Sequence, residues 1–326
     1  MIRLLFLTII SFTIILSSSF ASERIPVVFD TDANNELDDQ HALAYLLFND
    51  NTFDVKAVTV NATYNGGNIE EQFAEADRVM KLCGVKGKVP LFKGANGSFK
   101  EIEVDLDNPS FDGSKAIDFI IKESLKYSQD NKLVVLAVGK LTNIALAVKK
   151  DPSIIKNIRL VWLGANYPEP GEYNLENDIP SMNYLLKTDI DFEMVTVRYG
   201  KPSGTDFVKL TKEEVYANMP KLGLRISTPI IGRHGGEFYT FGEYSISLFD
   251  NATFHGNPPT RSLFDMAAVA IVKNPKWAKC SDISCPIMVD DKWVEQPNNP
   301  RKIKIWEYFN KELIMADFYK SLESRN

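Results

Sequence analysis

The stretch with the most chemical potential in this 326-residue chain is Asp30-Thr31-Asp32-Ala33-Asn34-Asn35-Glu36-Leu37-Asp38-Asp39, which follows the apolar run Val27-Val28-Phe29. Acids at a helix start are often explained by capping and by the helix dipole. That accounts for Asp38 or Asp39, but not for four aspartates crowded between the end of a buried strand and a first helical turn. Their mutual repulsion calls for a cation, and an all-oxygen donor set suits a hard ion such as calcium or magnesium.

The elements around this stretch must place it at the mouth of a sheet. Predicted strands are Ile25–Phe29, Val55–Val60, Val89–Phe92, Leu133–Val138, Ile158–Leu163 and Met194–Val197. Predicted helices are Asp39–Phe48, Asn68–Cys83, Ser114–Tyr127, Thr142–Lys149 and Pro180–Leu186, with Ser262–Val272 and Asn310–Leu322 later in the chain. Strands apolar throughout and separated by helices indicate an α/β fold: one domain, a mostly parallel, Rossmann-like sheet, helices on both faces. Ligands of such sheets bind beyond the carboxyl ends of the strands. The segment from Lys201 to Arg261, rich in Gly, Pro and aromatics, reads as loops and helices covering the sheet.

Composition narrows the function. The 43 acidic residues outnumber 37 basic ones, for a formal charge of −6, the opposite of what binding to a phosphate backbone needs, so nucleic acid is excluded as main partner. Three His and three Cys argue against a zinc site. Met1-Ile2-Arg3, the apolar run Leu4–Leu16 and small residues before Ser22 read as a secretory signal cleaved after Ala21. The run is too short for a stable membrane anchor. Residues 22–326 are then one exported domain, periplasmic or secreted, and a homo-oligomer is allowed. Export permits disulfides, and Cys280 and Cys285 are near enough in sequence to pair; Cys83 reads as a buried free thiol.

Two ion-site readings of the acidic stretch fit poorly. An EF-hand beginning at Asp30 has Asn35 where Gly is needed and His41 where Glu is needed. A phosphatase of the haloacid-dehalogenase type, with Asp30 as nucleophile, lacks its partner motifs. The stretch instead resembles the signature of the nucleoside hydrolase family, the inosine-uridine-preferring type: Asp-x-Asp, a short loop, then Asp-Asp opening a helix. Val138-Gly139-Lys140-Leu141-Thr142-Asn143, Leu163-Gly164-Ala165-Asn166 with Glu172-Tyr173-Asn174 and Asp178, and Ser262-Leu263-Phe264-Asp265 resemble later family segments, in the family's order.

The resemblance implies calcium-dependent hydrolysis of the N-glycosidic bond of a ribonucleoside, releasing ribose and free base. Asp32, Asp39, Asp265 and the Val138 carbonyl would hold Ca2+, with Asp32 also the general base. Asp38, Asn166, Glu172 and Asn174 would bind the ribose. Asn61 and Asn65 are either pocket or turn residues. This chain departs from the family pattern twice: five residues rather than three separate Asp32 from Asp38, and Phe264 stands where many members carry a histidine that protonates the leaving base. His234 and His255 are the candidate replacement acids, although surface packing is the commoner role for such residues; Tyr239, Phe241 and Tyr244 either stack on a base or belong to the core. The alternatives are hydrolysis of another ribosyl or sugar compound, and a non-catalytic, calcium-dependent nucleoside- or sugar-binding protein.

Overall fold

A computed structural model describes residues 24–325, so the leader read at 1–21 lies outside the described residues. Six strands alternate with helices: β1 (Ile25–Thr31), β2 (Phe53–Val60), β3 (Leu91–Lys93), β4 (Leu133–Ala137), β5 (Ile158–Ala165) and β6 (Asp191–Thr196). Two more, β7 (Lys279–Ser284) and β8 (Lys302–Glu307), complete one sheet in the order β7-β8-β6-β5-β4-β1-β2-β3. Every neighbouring pair is parallel except β7 with β8. The main helices are α1 (Leu37–Phe48), α2 (Ile69–Leu82), α3 (Ser114–Ser124), α4 (Thr142–Lys150), α5 (Ile179–Leu186), α6 (Phe241–Asp250), α7 (Phe264–Lys273) and α8 (Lys311–Glu323). Among the described residues no helix is long and apolar enough to cross a membrane.

The expected single-domain α/β architecture is what the chain adopts. Strands such as Leu133–Ala137 are buried along their whole length because both faces of the sheet are covered, which explains their lack of polar alternation. Residues of α1, α2, α6, α7 and α8 form the core on one face, and those of α3, α4 and α5 form it on the other. The order places β1 beside both β2 and β4, so successive connections leave in opposite directions there. That junction is the topological switch point, where strand ends diverge and leave a crevice.

β7 and β8 were not among the predicted strands. β7 is a polar, exposed edge strand, so no apolar run marks it. β8 (Lys-Ile-Lys-Ile-Trp-Glu) alternates with the period of two of a half-buried strand, a signal present in the sequence. Its pairing with β7 also disposes of the expected disulfide. Cys280, within β7, is exposed, Cys285 just beyond it is buried, and both are free thiols, as is buried Cys83. An extended strand carries residues five apart roughly 17 Å from one another and onto opposite faces, far beyond disulfide reach.

A polar pin holds the switch point together. Asp30 is fully buried at the end of β1, and its carboxylate accepts from Thr59 Oγ1 (2.5 Å), Asn61 Nδ2 (2.7 Å) and Asn143 Nδ2 (2.7 Å). Asn143, in the first turn of α4, also accepts from the Ala95 amide at 2.7 Å and so ties α4 to the segment after β3. These donors hold Asp30 as a carboxylate although burial pushes its pKa up to about 6. Fully buried and lining neither cavity of the structure, Asp30 is out of reach of a phosphate ester, which removes the phosphatase reading.

Replacing Asn143 by Ala strips two buried partners at once, the Asp30 carboxylate and the Ala95 amide. We expect Asn143→Ala to cost about 2–3 kcal/mol, measured by chemical denaturation. A reducing agent should leave the melting temperature unchanged, because the three cysteines are unpaired.

Candidate active site and its acidic cation cradle

The site is built from the carboxyl ends of β1 and β4 and the first turns of α1 and α7. After β1 the chain turns at Asp32, whose carbonyl accepts from the Asn35 amide at 2.7 Å, and then enters α1 with Asp38 and Asp39 in the first turn. The longer loop between Asp32 and Asp38 therefore does not displace the Asp-Asp pair. Thr31 Oγ1 donates to Asp39 at 2.5 Å and fixes that carboxyl against the strand end. α7 packs along α1, and its first-turn Asp265 meets the pair: Asp38, Asp39 and Asp265, all buried, each offer an oxygen within 4.8 Å of the others. The backbone of Asp265 donates to Asp38.

Asp32 stands beside this trio, fully buried, with Thr63 Oγ1 donating to its Oδ2 at 2.7 Å and no donor for Oδ1. Gly139, just past β4, permits this placement: a Cβ there would lie 2.9 Å from Asp32 Oδ1. Asp32 and Asp39 are within hydrogen-bonding reach, an approach two carboxylates tolerate only with a shared proton or a cation between them. Burial, and then repulsion from the neighbouring acids, pushes Asp39 and Asp265 well above the usual carboxylate range. Burial likewise raises Asp32 to about 6 and Asp38 to about 7. A buried orphan oxygen beside three convergent carboxylates fits a divalent ion bound through oxygen.

A cavity of about 530 Å3 opens over the trio, and its lining includes Asp38, Asp39, Val138, Glu172, Asn174 and Asp265. Glu172 caps a short helix, Tyr173–Asn177, by accepting from the Leu175 amide at 2.9 Å; burial raises its pKa to about 7. Asn174 Nδ2 donates to the carbonyls of Val138 (2.8 Å) and Leu163 (3.1 Å), joining this helix to the ends of β4 and β5. Val138 lines the cavity, and the bond from Asn174 occupies one lone pair of its carbonyl.

Several of the singled-out residues lie elsewhere. Asn166 lies outside the cavity: its Nδ2 donates to the Pro170 carbonyl at 2.9 Å and its Oδ1 accepts from the Tyr199 amide at 3.1 Å, so both ends of the amide shape the loop. His234 lines a neighbouring cavity instead, and of the two histidines His255 alone borders both. Asn61 is buried behind Gly139, whereas Asn65 reaches the lining. Phe241 and Tyr244 are fully buried core, and Tyr239 does not line the cavity. His41 is also core: Nδ1 donates to the Leu37 carbonyl (2.5 Å), Nε2 accepts from Ser245 Oγ (2.6 Å), and burial lowers its pKa to about 4.

The structure adds Tyr199, which sequence reasoning missed. It follows β6, so the strand-end rule was the available signal. Arg198, at φ 47°, turns the chain there, its guanidinium donating to the Tyr167 carbonyl at 2.9 Å. Tyr199 meets Phe264 edge to face, centroids 5.8 Å apart, and its phenol stays protonated because burial and then the Glu172 and Asp38 charges raise its pKa. Arg261 also lines the cavity and pairs with Glu36 from the lengthened loop.

The comparisons with known proteins agree with this geometry. The chain is 25% identical over 202 residues to the pyrimidine-specific ribonucleoside hydrolase RihB of Escherichia coli O17:K52:H18, an alignment covering 58% of this chain and 58% of that relative. Among solved structures it is similar to a plant nucleoside hydrolase, PpNRh1 (TM-score 0.70, 17% identity, covering 93% of this chain and 100% of that one). It is similar also to a purine-preferring ribonucleoside hydrolase from Gardnerella vaginalis (TM-score 0.67, 18% identity, covering 92% and 98%). These structural likenesses establish the fold. Residues 27–314, which include the whole acidic cradle, match the inosine-uridine preferring nucleoside hydrolase family, and the chain belongs to that family of N-glycosidic bond hydrolases.

Proposed function

We propose that this protein is an exported, calcium-dependent ribonucleoside hydrolase, periplasmic or secreted, with Asp32 as its general base. The observation that carries the reading is the unpartnered Oδ1 of Asp32, buried beside Asp38, Asp39 and Asp265. Asp39, Asp265, Asp32 and the Val138 carbonyl form the donor set for calcium, with Asp38 at its edge. When bound, the ion contributes positive charge that acidifies a water and holds vicinal hydroxyls.

The chain's own residues do the rest. Asp32, relieved of its shared proton, takes a proton from the water that attacks the anomeric carbon. Asp38 and Glu172 accept hydrogen bonds from ribose hydroxyls, and Asn174 orients the Val138 carbonyl and the sugar edge. The same carboxylates oppose the positive charge that develops on the ribosyl ring as the base departs. Phe264 offers no proton to that base. We assign that role to Tyr199 and His255, two of the donors on the cavity wall; the raised pKa of Tyr199 keeps its phenol protonated.

Turnover of inosine, uridine, adenosine and p-nitrophenyl riboside, followed by release of free base or nitrophenol and reducing sugar, tests the reading directly. Asp32→Asn should lower kcat by a factor of about 100 to 10,000, and a chelator should abolish activity. Undiminished turnover in either case overturns the mechanism, and nucleoside binding without sugar release would identify a binding protein. Tyr199→Phe should slow nucleosides far more than the nitrophenyl riboside, whose leaving group needs no proton.

Cation binding has a second readout in stability. A carboxyl whose folded-state pKa is raised contributes stability that is full below its unfolded value, near 4, and is lost as pH rises through the folded value. For Asp32, Asp38 and Glu172 those folded values are about 6, about 7 and about 7. In chelator the melting temperature should therefore fall between pH 4 and pH 7. Calcium should raise it most near pH 7, and less in Asp265→Asn.

A further inference from the structure

Beside the catalytic cavity lies a second one of about 400 Å3, and the two share Asn35, Glu36, His255 and Arg261 along a common wall. Its lining draws together Arg233, His234, His255 and Arg261, which include two of the three histidines in the chain. Glu36 is the one acid in this lining, and it is paired with Arg261. That pair leaves Arg261 Nε buried and without an acceptor.

The other guanidinium in this lining is uncommitted. Arg233 has no acidic partner within ion-pair distance among the described residues; its backbone amide donates to Tyr244 Oη at 3.3 Å. The nearby acid Glu75 is already occupied, accepting from Arg78 (2.7 Å), Tyr244 Oη (2.5 Å) and Gln40 (3.1 Å). Arg233 and His234 sit on a tight turn closed by hydrogen bonds from the Gly232 amide to the Gly236 carbonyl (3.1 Å) and from the Gly235 amide to the Gly232 carbonyl (3.0 Å). The backbone therefore presents both side chains on a short, closed loop.

The charge layout along the combined cleft is polar in the strict sense. One end is the carboxylate floor that would grip a ribose diol through a cation; the adjoining chamber is cationic. A neutral nucleoside leaves the Arg233 guanidinium and the Nε of Arg261 without an acceptor. We propose that the second cavity is an anion subsite, and that the preferred substrates are N-ribosyl compounds bearing a phosphate or carboxylate on the part that projects away from the diol. This rests on the ribonucleoside hydrolase reading, which it extends to a substrate class. Charge-assisted hydrogen bonds from guanidinium to such an anion are among the stronger ones available to a binding site.

Three probes separate the possibilities: uridine, uridine 5′-monophosphate and 5-carboxyuridine, each measured by calorimetric binding and by turnover with the full chain in calcium. At least one anionic probe should bind roughly tenfold or more tighter than uridine. Preference for the monophosphate places the anion at the 5′ end of the sugar; preference for 5-carboxyuridine places it on the base. Arg233→Gln, alone and with His234→Gln, should erase the preference while leaving the affinity and turnover of uridine unchanged. The proposal is overturned if neither anion binds more tightly than uridine, or if the preference survives in the double variant. Uridine hydrolysis without an anion preference would remove the subsite alone. Tight, Arg233-dependent anion binding without any hydrolysis would remove the hydrolase reading and leave the subsite standing.

Discussion

Buried negative charge is the constraint around which this molecule is organised. Asp32, Asp38, Asp39 and Asp265 converge with almost no access to water, at the one point where the strand order reverses. Two unit charges 5 Å apart repel by about 3 kcal/mol at an effective dielectric constant of 20, and several such pairs are present. Burial and mutual repulsion push the pKa values of these groups upward. Ordinary stability would be better served by apolar residues here, so the arrangement makes physical sense as a cradle for a cation.

The rest of the fold can be understood as support for that cradle. Asp30, two residues before Asp32, is satisfied by three donors from β2 and α4 and so anchors the strand end without joining the charged cluster. Gly139 leaves room for the Asp32 carboxylate. The helix pair α1 and α7 brings two first turns face to face, so carboxylates far apart in the chain meet over a few ångströms. Two aspartates separated by a single residue thus have opposite fates: one is fully hydrogen-bonded structure, the other keeps an unpartnered oxygen.

The covering segments set the character of the cleft's far end. A short ribbon, Lys209–Thr211 against Thr260–Ser262, carries Arg261 over the cavity, where it meets Glu36 from the lengthened loop after β1. The loop extension and the basic residues of the cover are therefore linked features of one wall. Glu36, Arg261 and Phe264 line the same cavity as Asp38, Asp39 and Asp265.

Much of this was legible in the residues. The apolar strand runs announced a parallel sheet covered on both faces, because only full burial removes polar alternation. The density of aspartates after β1 announced a convergent acidic site, because unlike a capping residue it has no local explanation. What stayed hidden depended on contacts between distant segments. Nothing in the local sequence separates Asp30 from Asp32; their burial partners do. Asn166 resembled a ligand residue until its two hydrogen bonds placed it in a loop, and His234 and His255 looked equivalent until the cover folded one of them away from the cavity. Tyr199 is marked only by its place beyond the end of β6, and no local pattern gathers Arg233, His234, His255 and Arg261 around one chamber. Composition and periodicity report what each segment must bury, and so determined the sheet and the acidic strand end. Which polar groups face one another across the cleft depends on how loops from four parts of the chain pack, and only the tertiary structure decided that.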